Sequence, residues 1–230
     1  MSVRVYIKLG ILFIFIGLLC YAWIYSHQDN HFPIQHVKIL GNYKYVPQKK
    51  LQKEITAFTD KGYFNVNVSR LRNMIVSLPG IKSVEVKRIW PNTVSITIQQ
   101  QSAFAQWNKH EILSKQATIF TPRNRINQND LPQFIGANHN AKLMIKMYQS
   151  LQVMTGNLYQ IKTLSYIGNQ WEIILDSNTK IMLGNNEVQK RLEQFIKYYP
   201  ILSQTHKDEM ITYFDARYPS GFSIKWKKIS

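Results

Sequence analysis

The chain has 230 residues, of which 45% are hydrophobic and 13% are aromatic. This composition indicates a chain that packs a core, and it excludes an intrinsically disordered tail. The formal net charge of +16 is typical of nucleic-acid binders. The export predicted below argues against a nucleic-acid partner, so we expect the basic surface to face anionic lipid headgroups or an acidic protein.

Residues 9–25 form the most hydrophobic stretch, with no charge between Leu9 and Tyr25. As a helix the stretch would be about 26 Å long, slightly shorter than a hydrocarbon core of ~30 Å. Arg4 and Lys8 precede it, and no Lys or Arg follows until Lys38. The positive-inside rule therefore predicts a cytoplasmic tail over 1–8, one transmembrane helix over 9–25 and an exported body.

A cleaved signal peptide is the alternative for this stretch. The bulky flank from Tyr21 to Tyr25 lacks a small-x-small cleavage site, and Leu19 before Cys20 disfavours a lipoprotein. Because Cys20 is the only cysteine, the exported body cannot form a disulfide.

Residues 26–33 read as a linker, and residues 34–101 predict a small β-α-α-β-β domain. A strand over 34–40 is followed by two amphipathic helices, the second with Asn67 as its N-cap. A hairpin with alternating apolar residues follows over 81–101. Two helices are thus expected to cover one face of a three-stranded sheet.

Residues 102–230 predict a second, mostly antiparallel β domain with two helices, which makes the fold class α+β. The helices are expected over 141–155 and 186–202, and a loop over 122–132. The expected strands are 103–107, 111–114, 119–120, 161–167, 170–175, 180–183, 210–215 and 222–226.

No catalytic, cofactor or metal site is predicted. His27 and His31 lie four residues apart, but in the linker, and a single cysteine excludes a zinc knuckle. Asp215, in a predicted strand, is expected to accept a turn N–H rather than to act as a catalytic acid. No nucleotide-binding or hydrolase motif occurs, so we expect that the protein is not an enzyme.

The surface near the end of the chain is the remaining candidate site. A sheet edge can accept a partner strand, and the segment 211–221 offers Arg217 for a carboxylate, Tyr218 as an aromatic anchor, and Ser220 and Gly221 for close backbone approach. From the residue types alone, an ordinary hairpin with a surface tyrosine is the simpler interpretation.

Four segments of the chain carry a resemblance to known proteins. They are FPIQHVKILGN (32–42), LPGIKSVEVKRIWPNTVSITIQQQSAFAQWN (78–108), KRLEQFIKYYPIL (190–202) and TYFDARYPSGFSIKW (212–226). These segments resemble the FtsQ/DivIB family of bacterial cell-division proteins, in particular its proteobacterial members, and the resemblance runs in order along nearly the whole chain.

The resemblance implies a POTRA domain over 34–101 and a non-enzymatic divisome scaffold, single-pass in the inner membrane with periplasmic domains. The implied partners are FtsB and FtsL, with FtsK and other divisome proteins. In the family a strand of FtsB extends the C-terminal sheet, and Arg217, Tyr218, Ser220 and Gly221 match that site. The second basic residue of the family falls on Gly168, so the charge contact is expected either to be weaker here or to use Lys180 or Arg191. The resemblance also implies that the POTRA domain takes part in recruitment, and we nominate the second strand of the hairpin as its contact surface.

A POTRA-bearing component of outer-membrane assembly or secretion is the alternative function. It would call for a long succession of amphipathic barrel strands, which this chain does not offer. A periplasmic hydrolase is disfavoured by the absence of a catalytic constellation.

Overall fold

The computed structural model describes residues 3–26, 32–60, 62–124, 129–156 and 158–229. The chain divides into two compact units, Met1–Gln100 and Gln101–Ser230. His27 and His31 lie outside the described residues. The predicted limits of the tail, linker and two domains stay predictions.

The first helix, α1, spans Val3–Ser26. Most of its described apolar side chains are exposed, as they are from Ile11 to Ile16. In the described part of the chain, however, no helix is long and apolar enough to cross a membrane. The helix predicted over 9–25 is therefore present, but its transmembrane character is not confirmed.

The rest of the first unit has the predicted β-α-α-β-β order. Its elements are β1 (His36–Gly41), α2 (Gln48–Thr59), α3 (Val68–Val76), β2 (Ile81–Ile89) and β3 (Thr93–Gln100). The sheet order is β1-β3-β2, with β1 parallel and β2 antiparallel to β3. Since β3 is central, both of its backbone edges are paired. The nominated second hairpin strand therefore cannot accept a partner strand, and contacts there would have to use side chains.

The core of this unit lies between the sheet and its two helices. Val94, Ile96 and Ile98 of β3 are buried against Leu51 of α2 and Leu71 of α3. The predicted N-cap is confirmed, because the Asn67 side chain accepts a hydrogen bond of 2.9 Å from the Arg70 backbone N–H. The strands with alternating apolar residues and the amphipathic helices thus each bury one apolar face in a common core.

The second unit contains nine described strands in one mixed sheet, in the order β12-β11-β10-β9-β8-β7-β4-β5-β6. The helices are α4 (Ala141–Thr155) and α5 (Val188–Thr205). The strands are β4 (Ala103–Trp107), β5 (Glu111–Ser114), β6 (Ile119–Phe120), β7 (Gln133–Gly136), β8 (Ile161–Ile167), β9 (Gln170–Leu175), β10 (Lys180–Gly184), β11 (Glu209–Asp215) and β12 (Ser223–Lys228).

Antiparallel pairs outnumber parallel ones among the described strands. The parallel pairs are β4–β7, β7–β8 and β10–β11. The strand β7 is absent from the sequence prediction, because it belongs to no hairpin and no turn signal marks its pairing. Its backbone is held by two distant strands, one on each side.

The core of the second unit lies where α4 and α5 pack on the sheet. It includes Met144 and Leu151 of α4, Leu192 and Phe195 of α5, and Phe214 of β11. The bounds of α4 agree with the prediction. Helix α5 begins and ends later than predicted, following Glu187 in a left-handed conformation and continuing past Pro200 to Thr205.

Candidate partner-binding edge

The strand β12 is the outermost strand at one side of the described sheet. It pairs with β11 through antiparallel register from Glu209–Lys228 to Asp215–Ser223. A terminal strand has one row of backbone N–H and C=O groups that its own sheet does not use. The predicted edge is therefore present in the fold.

Side chains alternate along β12 as expected for a half-covered strand. Ile224 and Trp226 pack against the core cluster, and the Trp226 ring stacks on His206 with centroids 4.4 Å apart. The intervening Ser223 and Lys225 are exposed. One face of β12 is thus fixed to the domain, while the other carries positive charge.

The segment between β11 and β12 contains all four predicted site residues, Arg217, Tyr218, Ser220 and Gly221. Tyr218 is 55% exposed, Ser220 is exposed and Gly221 is half-buried. A Cβ atom added at Gly221 would meet no heavy atom within 4 Å. Because no neighbour in this chain requires glycine there, the space beside Gly221 is open to a partner backbone.

Arg217 is already engaged within the chain. Its Nε and Nη2 atoms donate to the two carboxylate oxygens of Asp215 at 2.9 and 2.6 Å, and its backbone N–H donates to Asp215 at 3.1 Å. The turn N–H expected at Asp215 is therefore confirmed. The side-chain bonds use two of the five guanidinium N–H donors, and the others can still bind a second carboxylate.

This pair controls the ionisation of the site. Asp215 is 5% exposed, yet the hydrogen bond from Arg217 holds the pKa of its carboxyl below the ordinary value. The same bond raises the pKa of Arg217. Burial, together with the nearby Asp215 charge, raises the pKa of the Tyr213 hydroxyl, which donates to Asp215 at 3.3 Å. At neutral pH the site therefore contains an ionised Asp215–Arg217 pair and a neutral Tyr213.

Arg191, one of the two supporting basic residues, lies close to Arg217. Its Nη1 atom donates to the Leu183 carbonyl at 2.6 Å. A Cβ atom built on Gly184 would clash with Arg191 Nη1 and would lie 3.3 Å from Arg217 Cγ. The glycine at this position therefore permits both arginines to approach the end of β10.

Lys180, the other supporting residue, lies at the start of β10 beside Tyr213 of β11. Its amine contacts the Glu172 carboxylate at 2.8 Å. The structure thus gathers Arg217, Arg191 and Lys180 along β10 and its neighbours. The sequence prediction missed that Asp215 and Glu172 hold two of them. Glu172 reaches Lys180 through the pairing of β9 with β10, whereas Asp215 lies two residues from Arg217 and binds it at the end of β11.

Gly168, where the family has a basic residue, forms the turn between β8 and β9 together with Asn169. Both residues have positive φ angles, 56° and 62°, as a two-residue hairpin turn requires. A side chain at Gly168 would be strained by this backbone conformation.

Across the described ranges, no group of three or more His, Cys, Asp or Glu side chains could hold a metal ion. What the edge offers is backbone pairing, aromatic anchoring and positive charge.

Two family models match the chain, one for each unit. The model described as "POTRA domain, FtsQ-type" matches residues 32–101. The model described as "Cell division protein FtsQ/DivIB, C-terminal" matches residues 105–217. The second match ends at Arg217, so Tyr218, Ser220 and Gly221 follow it directly.

Proteins named "Cell division protein FtsQ" align with most of the chain. The protein of Coxiella burnetii is 28% identical over 93% of this chain and 88% of its own length. That of Escherichia coli is 26% identical over 94% and 83%, and that of Neisseria gonorrhoeae is 26% identical over 89% and 83%. The two family matches, in the order of the two folded units, show together with these relatives that the chain belongs to the FtsQ/DivIB family.

Proposed function

We propose that the protein is a non-enzymatic scaffold of the divisome, which binds FtsB and FtsL and links early to late division proteins during septum formation. The observation that carries the proposal is the edge strand β12, with its adjoining turn of exposed Tyr218 and Ser220 and half-buried Gly221. A strand of FtsB would pair with β12 and continue the sheet. The family resemblance supports this choice of partner.

Charge supports the choice of an acidic partner segment. Lys225, Lys227 and Lys228 are exposed on β12, and Arg217 retains donors beyond those bound to Asp215. Lysines on an edge strand also deter indiscriminate strand pairing. An acidic partner strand would form ion pairs with these lysines, whereas neutral or basic strands would not. The same charges would therefore select the partner.

Membrane anchoring by α1 is the second part of the proposal. The exposed apolar side chains of α1 and the basic residues Arg4 and Lys8 before its apolar stretch support a cytoplasmic N-terminus and two periplasmic domains. A reporter fused after Ser230 tests this arrangement. Alkaline phosphatase should be active there and β-galactosidase inactive, and the opposite pattern would contradict the topology.

The partner assignment is tested by co-purification from membranes. Tagged wild-type chain should retain FtsB and FtsL, whereas Tyr218→Ala should lose FtsB and still sediment with the membrane fraction. Depletion of the protein should give undivided filaments. Normal septation after depletion would remove the division role altogether.

A further inference from the structure

The β2–β3 hairpin of the first unit ends in an exposed apolar tip. Trp90 is 74% exposed and Ile89 is 46% exposed, and Pro91 beside them is also exposed. Large apolar side chains that remain in water at one place indicate an interaction site more often than chance. A tryptophan combines an apolar ring with an N–H donor, which suits a boundary between water and an apolar phase.

The tip lies at the end of this unit where the chain enters. The Asn92 carbonyl accepts hydrogen bonds from the backbone N–H groups of Gln35 and His36 at 3.0 and 3.3 Å. The Asn92 side-chain amide also donates to the Gln35 side chain at 2.6 Å. The hairpin tip is therefore fixed beside the first residues of β1.

Chain length keeps this end close to α1. Gln35 follows Ser26, the last residue of α1, by nine positions, and nine residues span at most about 32 Å. If α1 lies in a bilayer, the start of β1 and the hairpin tip stay within that distance of its surface. Leu40, at the opposite end of β1, is carried away from the tip by the length of the strand.

Charge at the tip favours an anionic surface over an acidic pocket. Arg88 precedes the apolar pair, and its guanidinium donates to the Phe64 carbonyl at 3.5 Å. Lys87 is paired with Glu85 at 2.7 Å on the exposed surface, where such a pair is easily exchanged. Arg88 lies two residues before the exposed Trp90, and no acidic residue follows Trp90 until Glu111. This combination resembles the aromatic and basic anchors found at bilayer interfaces.

We propose that the β2–β3 tip, Ile89 to Pro91, inserts into the headgroup region of the bilayer and rests the first unit on the membrane. The occupant of this surface is a phospholipid interface containing anionic lipid. This inference depends on the membrane anchoring proposed for α1, and it adds a second membrane contact in the folded domain.

The test uses the full chain with Cys20→Ser, reconstituted into vesicles of phosphatidylethanolamine and phosphatidylglycerol. A nitroxide label is placed at Ile89→Cys, with Leu40→Cys as the matched control in the same unit and Phe15→Cys as the reference in α1. Collision rates with oxygen, which concentrates in lipid, and with a water-soluble nickel chelate are measured for each label.

The ratio of oxygen to nickel collisions at position 89 should exceed that at position 40 several-fold and should stay below that at position 15, because a headgroup contact is shallower than the hydrocarbon core. Adding Trp90→Ala should move the label at 89 toward the value at 40, whereas Trp90→Tyr should keep most of the difference. Equal ratios at 89 and 40, with position 15 in lipid, would overturn the inference and leave the anchor intact.

Two other outcomes also overturn it. A label at 15 that behaves as in water would remove the proposed anchor and this contact with it. A label at 89 that is accessible to the nickel chelate in lipid vesicles, but shielded from it in native membranes, would assign the tip to a protein partner instead of lipid.

Discussion

Tyr218 is the proposed interface residue whose substitution should affect partner binding with the least effect on folding. More than half of its surface is exposed, so its removal disturbs little inside the domain. If it anchors the FtsB strand, Tyr218→Ala should weaken binding by about 2 kcal/mol, or about thirtyfold. The measurement is titration of the purified, detergent-solubilised chain with an FtsB segment.

Leu158→Ala is the matched control, because Leu158 is an exposed apolar residue of the same unit outside the edge. Both variants should keep the wild-type melting temperature. Equal affinities of Tyr218→Ala and wild type would remove Tyr218 from the interface. Arg217→Glu is a less informative variant than Tyr218→Ala, because it would place a second carboxylate against the buried Asp215 and destabilise the fold.

Asp215 should give the domain a characteristic acid sensitivity. Arg217 lowers the pKa of Asp215 in the folded state below its ordinary value of 3.8. The stabilisation is therefore complete above the unfolded-state pKa and is lost as the pH falls below it toward the folded pKa. Wild type should lose more stability than Asp215→Asn between pH 6 and this acid range.

Denaturation at a series of pH values checks this sign, with Asp176→Asn as the control carboxylate on an exposed turn. At neutral pH, Asp215→Asn should be less stable than wild type because the ionised pair is lost. If the stability of wild type and of Asp215→Asn fell in parallel as the pH is lowered, the Asp215–Arg217 pair would make no pH-dependent contribution to stability.

Two glycines of the same region should respond differently to substitution by alanine, one through the stability of the domain and the other through partner binding. Gly184 has a φ angle of 71° and has Arg191 and Arg217 beside it, so Gly184→Ala should cost about 1–3 kcal/mol of stability. Gly221 has open space around it, so Gly221→Ala should leave stability unchanged and weaken FtsB binding if the partner backbone approaches there. Thermal unfolding and FtsB titration of the two variants separate these effects.

At the scale of elements, the positive charge of β12 should affect association more than folding. Lys225→Glu with Lys227→Glu should slow association with FtsB and reduce its salt dependence, since exposed charges steer encounter. Lys142→Glu with Lys146→Glu on α4, both exposed, makes the same change in net charge in the same unit but not at the edge. Stopped-flow association rates at low and high salt distinguish the two. Equal slowing by both changes would indicate a general charge effect.

Elements with a strong local pattern were predictable from the sequence. The apolar stripe of α4 and the alternation in β2 and β3 gave bounds close to those observed, because each element buries one face of a regular repeat. The strand β7 was not predictable, since two distant strands determine it. The site residues could be named from the resemblance, but the Lys180–Glu172 pair follows only from the pairing of β9 with β10. The Arg217–Asp215 pair is local, and what the sequence does not show is that Asp215 is buried.

The whole molecule has two domains of the FtsQ/DivIB family, and the proposed partner edge lies at the end of the second domain. We propose that FtsB pairs with β12 through the backbone. Amide hydrogen exchange of the full chain in nanodiscs, with and without FtsB, measures this pairing. FtsB should slow exchange at the β12 amides that face away from β11, with no comparable change in β6 at the opposite edge. Unchanged exchange along β12 in a saturated complex would rule out backbone pairing at this edge.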